Sequence, residues 1–121
     1  MPRDYTKIRA WQMTDELVIE VYRLTRTFPK EELYGLTSQL RRAIVSAAGN
    51  IVEGSGRRTE NDYLQFLYVS LSSLKEAAYD LDIAERLGYC SPSKALKDKM
   101  TVAQKTLRGL INYISSHRRD S

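Results

Sequence analysis

Two arginine pairs are the side chains in this sequence best suited to bind a ligand. Arg41-Arg42 and Arg57-Arg58 carry guanidinium groups, which bind phosphate oxygens through paired hydrogen bonds. The pairs are about 16 residues apart, which is roughly 24 Å if the chain between them is helical. One subunit therefore cannot combine both pairs in one pocket. A solvated helix face explains either pair taken alone, and phosphate binding is the alternative.

Other reactive residue types are too sparse for the common catalytic and metal sites. The chain has one histidine, His117, and one cysteine, Cys90. Glu53 and Glu76 suggest a carboxylate-bridged metal site, but a di-iron bundle needs Glu-x-x-His pairs on two helices. We therefore predict no metal, no cofactor and no enzyme activity. Glu53 and Glu76 are expected to cap helix ends or to pair with arginine.

The glycine-containing segment Gly54–Arg58 resembles a phosphate loop only in part. It lacks the Gly-x-x-x-x-Gly-Lys-Ser/Thr spacing and follows no predicted strand, so nucleotide hydrolysis is not expected. Cys90 falls in a predicted turn without a basic or histidine neighbour. A thiol in such surroundings is expected to be unreactive.

Apolar residues at heptad spacing predict the helices that must position these side chains. The clearest pattern predicts a helix over residues 60 to 87, along the seam Leu64, Leu67, Leu71, Leu74, Ala78 and Leu81. Thr59 precedes it with Asp62 three residues later, which is typical of a helix start. Gly88 follows as the expected residue after the helix end.

The last predicted helix covers residues 92 to 116 and has a similar seam, consisting of Leu96, Met100, Ala103, Leu107, Leu110 and Ile114. Ser91 is the expected N-cap, because Pro92 suits the first helical position. In the first half, apolar spacing predicts helices over residues 10 to 27 and 38 to 53. Pro29 closes the first of these, and the glycines after residue 53 close the second.

These elements predict an all-α fold, an up-and-down antiparallel four-helix bundle forming one domain over residues 1–121, with frayed ends at residues 1–7 and 116–121. The formal net charge is +4, which permits a polyanionic partner. No apolar run is long enough for a membrane span and no signal peptide is visible, so we expect a cytoplasmic protein without a membrane partner.

The second helix has a wider apolar surface than a surface helix needs. Its core-facing residues are Leu40, Ala43, Ile44, Ala47 and Ile51. A second arc on the helical wheel contains Arg41, Val45, Ala48 and Val52, and we predict that these four residues form an oligomer interface, with Arg41 paired to a carboxylate. The alternative is that a neighbouring helix of the same chain covers the arc.

Basic charge is unevenly distributed. Residues 60 to 90 carry 2 basic and 6 acidic side chains, whereas residues 91 to 121 carry 7 basic and 2 acidic ones. Antiparallel helices of opposite sign stabilise each other, but a polyanion would use the same cations. The residues predicted to bind nucleic acid are Arg42, Arg57, Arg58, Arg118 and Arg119.

Several segments, spread over most of the chain, form one combined pattern. They are Leu36-Thr37-Ser38-Gln39-Leu40-Arg41-Arg42-Ala43, Ser46, Asn50-Ile51-Val52-Glu53-Gly54, Gly56-Arg57, Trp11, Tyr22, Phe28-Pro29, Tyr63, Phe66-Leu67, Ser70, Ser73-Leu74, Glu76 and Leu87-Gly88-Tyr89. This pattern resembles the signature of the four-helix bundle proteins encoded in intervening sequences of 23S ribosomal RNA genes.

The resemblance implies a bundle that assembles as a ring of five subunits and has no known catalysis. Similar bundles include the accessory variability protein of diversity-generating retroelements, which works beside a reverse transcriptase and binds nucleic acid. With the wide apolar arc, it predicts a homo-oligomer, specifically a pentamer, with RNA or DNA as partner in a ribosomal RNA or reverse transcriptase context. The alternative is a protein-interaction scaffold without a nucleic-acid role.

Overall fold

Four α-helices make up most of the structure, a computed structural model that describes residues 3–118. The helices are α1 Arg9–Thr25, α2 Leu36–Ser55, α3 Glu60–Arg86 and α4 Lys94–His117, with single 3-10 turns at Tyr5–Lys7 and Lys30–Glu32. No strand occurs between residues 3 and 118, and the predicted all-α four-helix bundle is confirmed. Within the same range, no helix combines the length and apolar composition that crossing a bilayer requires.

Each helix packs against two neighbours. α1 contacts α2 and α4, and α3 contacts α2 and α4, so the helices form a square in which the α2–α3 interface is the most extensive. Side-chain hydrogen bonds join Gln39 to Asp80 and Ser46 to Ser73, which makes α2 and α3 antiparallel. One end of the bundle therefore holds the starts of α1 and α3 and the ends of α2 and α4.

The core follows the predicted seams with one shift in α4. All predicted core-facing residues of α2 are buried, and so is the α3 seam apart from half-buried Ala78. In α4, Ile111 is buried, whereas Leu110 and Ile114 are only half-buried. A straight α-helix drifts relative to a strict seven-residue repeat. A strict seven-residue repeat therefore predicts Leu110 and Ile114 as core residues at the end of α4, where Ile111 is the buried residue.

The ends of α3 are those that the sequence predicts. Thr59 Oγ1 accepts the backbone N–H of Asp62 at 3.1 Å. At the other end Gly88 has φ +79°, and the Tyr89 N–H bonds to the Ala84 carbonyl at 2.9 Å. A residue with positive φ and a bond of this kind form the glycine C-cap that closes many helices.

The start of α4 corrects the predicted N-cap. Ser93, not Ser91, caps the helix, since the Ser93 Oγ accepts the Leu96 N–H at 3.0 Å. Pro92 therefore precedes the cap and is buried instead of occupying the first helical position. Serine fits either side of this proline on propensity alone, so packing of the turn decides between them.

Glu32 links the two connectors at the other end of the bundle. Its Oε1 accepts the Leu36 N–H at 3.1 Å, and its Oε2 accepts the Tyr89 hydroxyl at 2.8 Å. The bond from Leu36 and then that from Tyr89 lower the pKa of the Glu32 carboxyl. Because Gly35 has no side chain to cap α2, this carboxylate fulfils that role, and α2 starts two residues earlier than predicted.

The segment before α1 folds against the bundle. We expected fraying at residues 1–7 and 116–121, of which residues 1–2 and 119–121 lie outside the described residues. Tyr5–Lys7 form a 3-10 turn capped by the Asp4 carboxylate. At the other end, Ser116 and His117 still belong to α4. Long-range contacts of Arg3, described below, account for the order of the first segment.

Candidate nucleic-acid interface

The end of the bundle where α2 passes into α3 collects arginines from three parts of the chain. Arg57 and Arg58 lie in the α2–α3 loop, Arg3 precedes α1, and Arg118 directly follows α4. We call these four residues the basic end. Arg119 lies outside the described residues.

Arg57 is held by its own helix end and by α3. Its Nη2 lies 3.5 Å from Glu53 Oε2 in an exposed ion pair. Its guanidinium carbon lies 4.4 Å from the centroid of the Phe66 ring. The long, solvated ion pair contributes little stability, so packing on Phe66 is the main restraint. Glu53 therefore pairs with arginine, as expected.

Arg3 is a site residue that the sequence analysis missed. Its guanidinium stacks 4.1 Å from the centroid of the Tyr63 ring and its Nη1 donates to the Arg57 carbonyl at 2.9 Å. A longer bond of 3.4 Å reaches the Ser55 carbonyl. These partners are more than 50 residues away in the chain, so no local pattern signals them.

Arg58 and Arg118 are both exposed. Neither forms an ion pair with a carboxylate in the part of the chain that the structure describes. Their charges are therefore accessible to an anion. The α4 lysines differ, because Lys97 pairs with Glu85 of α3 and Lys99 with Glu20 of α1. These two ion pairs support the explanation that the basic charge of α4 stabilises its packing against acidic residues of neighbouring helices.

Arg42 lies away from the basic end. About 15 residues of helix and loop separate it from Arg57, or roughly 22 Å. It lines an open groove between α2 and α3 with a volume of about 570 Å³. The other lining residues are Tyr34, Gly35, Ser38, Gln39, Ala43, Ser46, Ser73 and Glu76. We call this cavity the α2–α3 groove. The structure therefore separates Arg42 from Arg57, Arg58 and Arg118.

Hydrogen bonds order the polar residues of this groove. The Ser46 and Ser73 hydroxyls are 2.9 Å apart, and Asn50 Nδ2 donates to the Ser46 carbonyl at 2.8 Å. Behind them, Gln39 Nε2 donates to Oδ1 of the buried Asp80 at 2.8 Å. Burial raises the pKa of the Asp80 carboxyl, and the bond from Gln39 opposes this shift.

The predicted oligomer interface is covered in part by the chain itself. Arg41 Nε donates to Thr25 Oγ1 at 2.7 Å, and its guanidinium lies 4.7 Å from the centroid of the Tyr22 ring. Within residues 3–118, a threonine hydroxyl and an aromatic ring of α1 take the place of the expected carboxylate partner of Arg41. Ala48 is buried within the chain, whereas Val45 remains 44% exposed and Val52 half-buried.

An exposed apolar surface nevertheless remains beside Arg41. Tyr22 and Leu33 are 40% and 50% exposed and line the same shallow pocket as Arg41. Together with Val45 and Val52 on α2, these residues form what we call the α1–α2 face. On α3, the buried Ser70 faces the inside of the bundle, where its Oγ donates to the Ala47 carbonyl.

Cys90 and His117 both lie among residues that pack against them. Burial, with a smaller effect of Glu85, raises the pKa of the half-buried Cys90 thiol, which lowers its reactivity. The His117 ring stacks on Tyr113 with centroids 4.2 Å apart. Residues 3–118 contain no group of three or more His, Cys, Asp or Glu side chains arranged to hold a metal ion.

Comparisons with known proteins identify one family. A family model described as 23S rRNA-intervening sequence protein matches residues 6–109. No curated protein matches the chain. Among solved structures, a protein of unknown function from the S23 ribosomal protein family of Bacteroides thetaiotaomicron is similar, with a TM-score of 0.76 and 19% identity. The match covers 84% of this chain and 97% of that one, and at this identity it supports the fold alone.

Proposed function

This chain belongs to the 23S rRNA-intervening sequence protein family, and we propose that it is a non-enzymatic accessory protein that binds RNA or DNA. Arginines of the basic end contact the phosphates, and a homo-oligomer presents several such ends to one nucleic acid. Ribosomal RNA, or a nucleic acid handled by a reverse transcriptase, is the proposed context.

The observation that carries this proposal is the convergence of Arg3, Arg57, Arg58 and Arg118 at one end of the bundle. Aromatic rings hold two of these guanidinium groups, so binding costs less side-chain entropy there than at a free arginine. The exposed ion pair of Arg57 with Glu53 is weak enough for a phosphate to replace it.

Assembly strengthens such a site. One basic end neutralises few phosphates, and linked copies increase the effective concentration of each further contact. We propose that the α1–α2 face forms the contact between subunits, since it includes Val45 and Val52, the apolar residues of the predicted arc that the chain itself does not bury. A pentameric ring is the proposed assembly.

Binding to a labelled single-stranded RNA and a labelled DNA duplex, followed by fluorescence anisotropy, tests the proposal. Affinity should fall steeply between about 50 and 200 mM salt, with a log–log slope near 0.9 per phosphate neutralised on the duplex and near 0.7 on the single strand. Replacing Arg57 and Arg58 with Ala should weaken both complexes by about tenfold and lower the slope by about 1 per lost contact.

The matched control replaces Lys105 and Arg108 of α4 with Ala. Both side chains are exposed and form no ion pair within residues 3–118. This double variant changes the net charge equally and should leave affinity nearly unchanged. Circular dichroism and mass should match the parent for both double variants. Equal losses in the two would mean that total charge, and not the basic end, determines binding.

A protein-interaction scaffold is the second candidate function. The exposed apolar residues of the α1–α2 face favour it, because exposed apolar surface on a folded protein is removed from water when a protein partner binds. Under this proposal, neither RNA nor DNA binds at about 100 mM salt, and a protein partner other than the chain itself occupies the face. If the fluorescence anisotropy of the labelled RNA and DNA shows no salt-dependent binding, the result would therefore support the scaffold function.

A further inference from the structure

Tyr34 places an exposed aromatic ring at the edge of the α2–α3 groove. Its side chain is 94% exposed and forms no ring pair with another aromatic residue between residues 3 and 118. An aromatic ring left in water beside a polar groove is a stacking platform for a planar ligand such as a nucleobase.

Two opposite charges line the same groove without neutralising each other. Arg42 and Glu76 are both exposed lining residues, and neither forms an ion pair among the described residues. A ligand that suits both must carry an anionic group for Arg42 and hydrogen-bond donors for Glu76. A nucleotide has this combination in its phosphate and in the amino group of its base.

The hydrogen bond between Gln39 and Asp80 adds a second acceptor. Because the Gln39 amide nitrogen donates to the buried carboxylate, its oxygen remains for the groove. Glu76 and Gln39 thus supply acceptors on both lining helices. Guanine presents two adjacent donors, N1–H and the 2-amino group, on one edge, whereas uracil presents only one and lacks an amino group.

From these three features we infer that the α2–α3 groove binds one unpaired guanine nucleotide, with the base against Tyr34, its donor edge on Glu76 and its phosphate on Arg42. The volume of about 570 Å³ lies within the range of small-molecule sites. The inference rests on the proposed function, to which it adds selectivity for an unpaired base.

Titration of the isotopically labelled full chain with GMP, followed by NMR, tests the groove directly. Shifts should concentrate at the amides of Ser38, Gln39, Ser46 and Ser73. GMP should bind about tenfold more tightly than IMP, which lacks the 2-amino group, and UMP should bind more weakly still. Glu76→Gln should remove the preference for GMP over IMP, and Tyr34→Ala should weaken all three nucleotides by about tenfold.

Matched controls are available on α1 and α3 outside the groove. Glu16→Gln and Tyr68→Ala alter an exposed carboxylate and an exposed tyrosine outside the groove, and they should leave nucleotide affinity and preference unchanged. All four positions are exposed, so none of the four substitutions should affect folding.

Several outcomes would overturn the inference. It is wrong if about 10 mM GMP produces no shifts, since even a weak ligand efficiency gives millimolar binding, or if the shifts lie only at the basic end. It is also wrong if Glu76→Gln alters the oligomer mass and not the nucleotide preference, which would identify the groove as a subunit contact. Binding of RNA that depends on Arg57 and Arg58 would still support the proposed function.

Discussion

At the scale of single residues, the most unusual side chain is the carboxyl group of Asp80. It is 1% exposed, and its Oδ2 has no hydrogen-bond partner between residues 3 and 118. Burying a charged group without full pairing is costly. The bond that Gln39 donates to Oδ1 compensates in part. Asp80 therefore fixes the orientation of a groove residue at a cost in stability.

Asp80→Asn should remove this cost. Because burial raises the pKa of the folded carboxyl, the folded state binds more protons than the unfolded state. The parent then loses stability as pH rises from the ordinary carboxyl value, about 3.9, through the raised pKa. Urea denaturation should show the variant gaining on the order of 1 kcal/mol at pH 7 and less at pH 4.

Exposed Asp82 on the same helix provides the control for this experiment. Its exposed ion pair with Arg86 contributes little, so Asp82→Asn should change the free energy of unfolding by less than about 0.5 kcal/mol at either pH. If the gain of the Asp80 variant is the same at pH 4 and pH 7, the raised pKa does not explain it.

At the scale of helices, the spacing between α2 and α3 depends on Gly54. A Cβ atom added there would lie 2.7 Å from the Phe66 Cβ and 3.0 Å from the Tyr63 Cδ1. Both residues also contact arginines of the basic end, since Arg57 stacks on Phe66 and Arg3 on Tyr63. Close helix approach therefore sets the geometry of the proposed phosphate site.

Gly54→Ala should lower the free energy of unfolding by about 1–3 kcal/mol, because overpacking forces the helices apart. Gly49 in the same helix has no neighbour within 4 Å of an added Cβ. Gly49→Ala should therefore raise the free energy of unfolding by about 0.5–1 kcal/mol through helix propensity alone. Urea denaturation of both variants measures the contrast, and two stabilised variants would contradict the proposed close approach.

At the scale of the whole molecule, the α1–α2 face extends towards the basic end, since Val52 and Arg57 line the same shallow pocket. The face contains Tyr22, Leu33, Val45 and Val52, whereas the proposed phosphate contacts are at the loop between α2 and α3. The exposed Arg58 and Arg118 do not line that pocket, so an assembly formed through the face leaves their charges accessible. Linked weak contacts would then give the assembly an affinity that a single bundle lacks.

The parent should have a mass several times 13.9 kDa in size exclusion with light scattering. Val45→Asp should reduce this mass, because a carboxylate in an apolar contact is expensive to desolvate. Val102 of α4 is similarly exposed, 46% against 44%, and Val102→Asp is the matched control. A monomeric parent would contradict the proposed oligomer, and a loss of mass with Val102→Asp alone would place the contact on α4.

The sequence by itself determined the helices and much of the core. Heptad spacing, the Thr59 cap and the Gly88 turn involve residues within about five positions of one another, so their effects are local. The same reasoning identified Arg57 and Arg58 as cations next to a helix end. It could not choose between Ser91 and Ser93 as the cap of α4, since both suit the turn locally.

Only the tertiary structure decided which side chains from different helices meet. Arg3 with Tyr63, Arg41 with Thr25 and Gln39 with Asp80 are pairs separated by 16 residues or more. Their contact depends on how closely the helices approach and on their relative rotation. Gly54 and the packed serines of α3 set that approach between α2 and α3, so the α2–α3 groove has no signature in any single segment of the sequence.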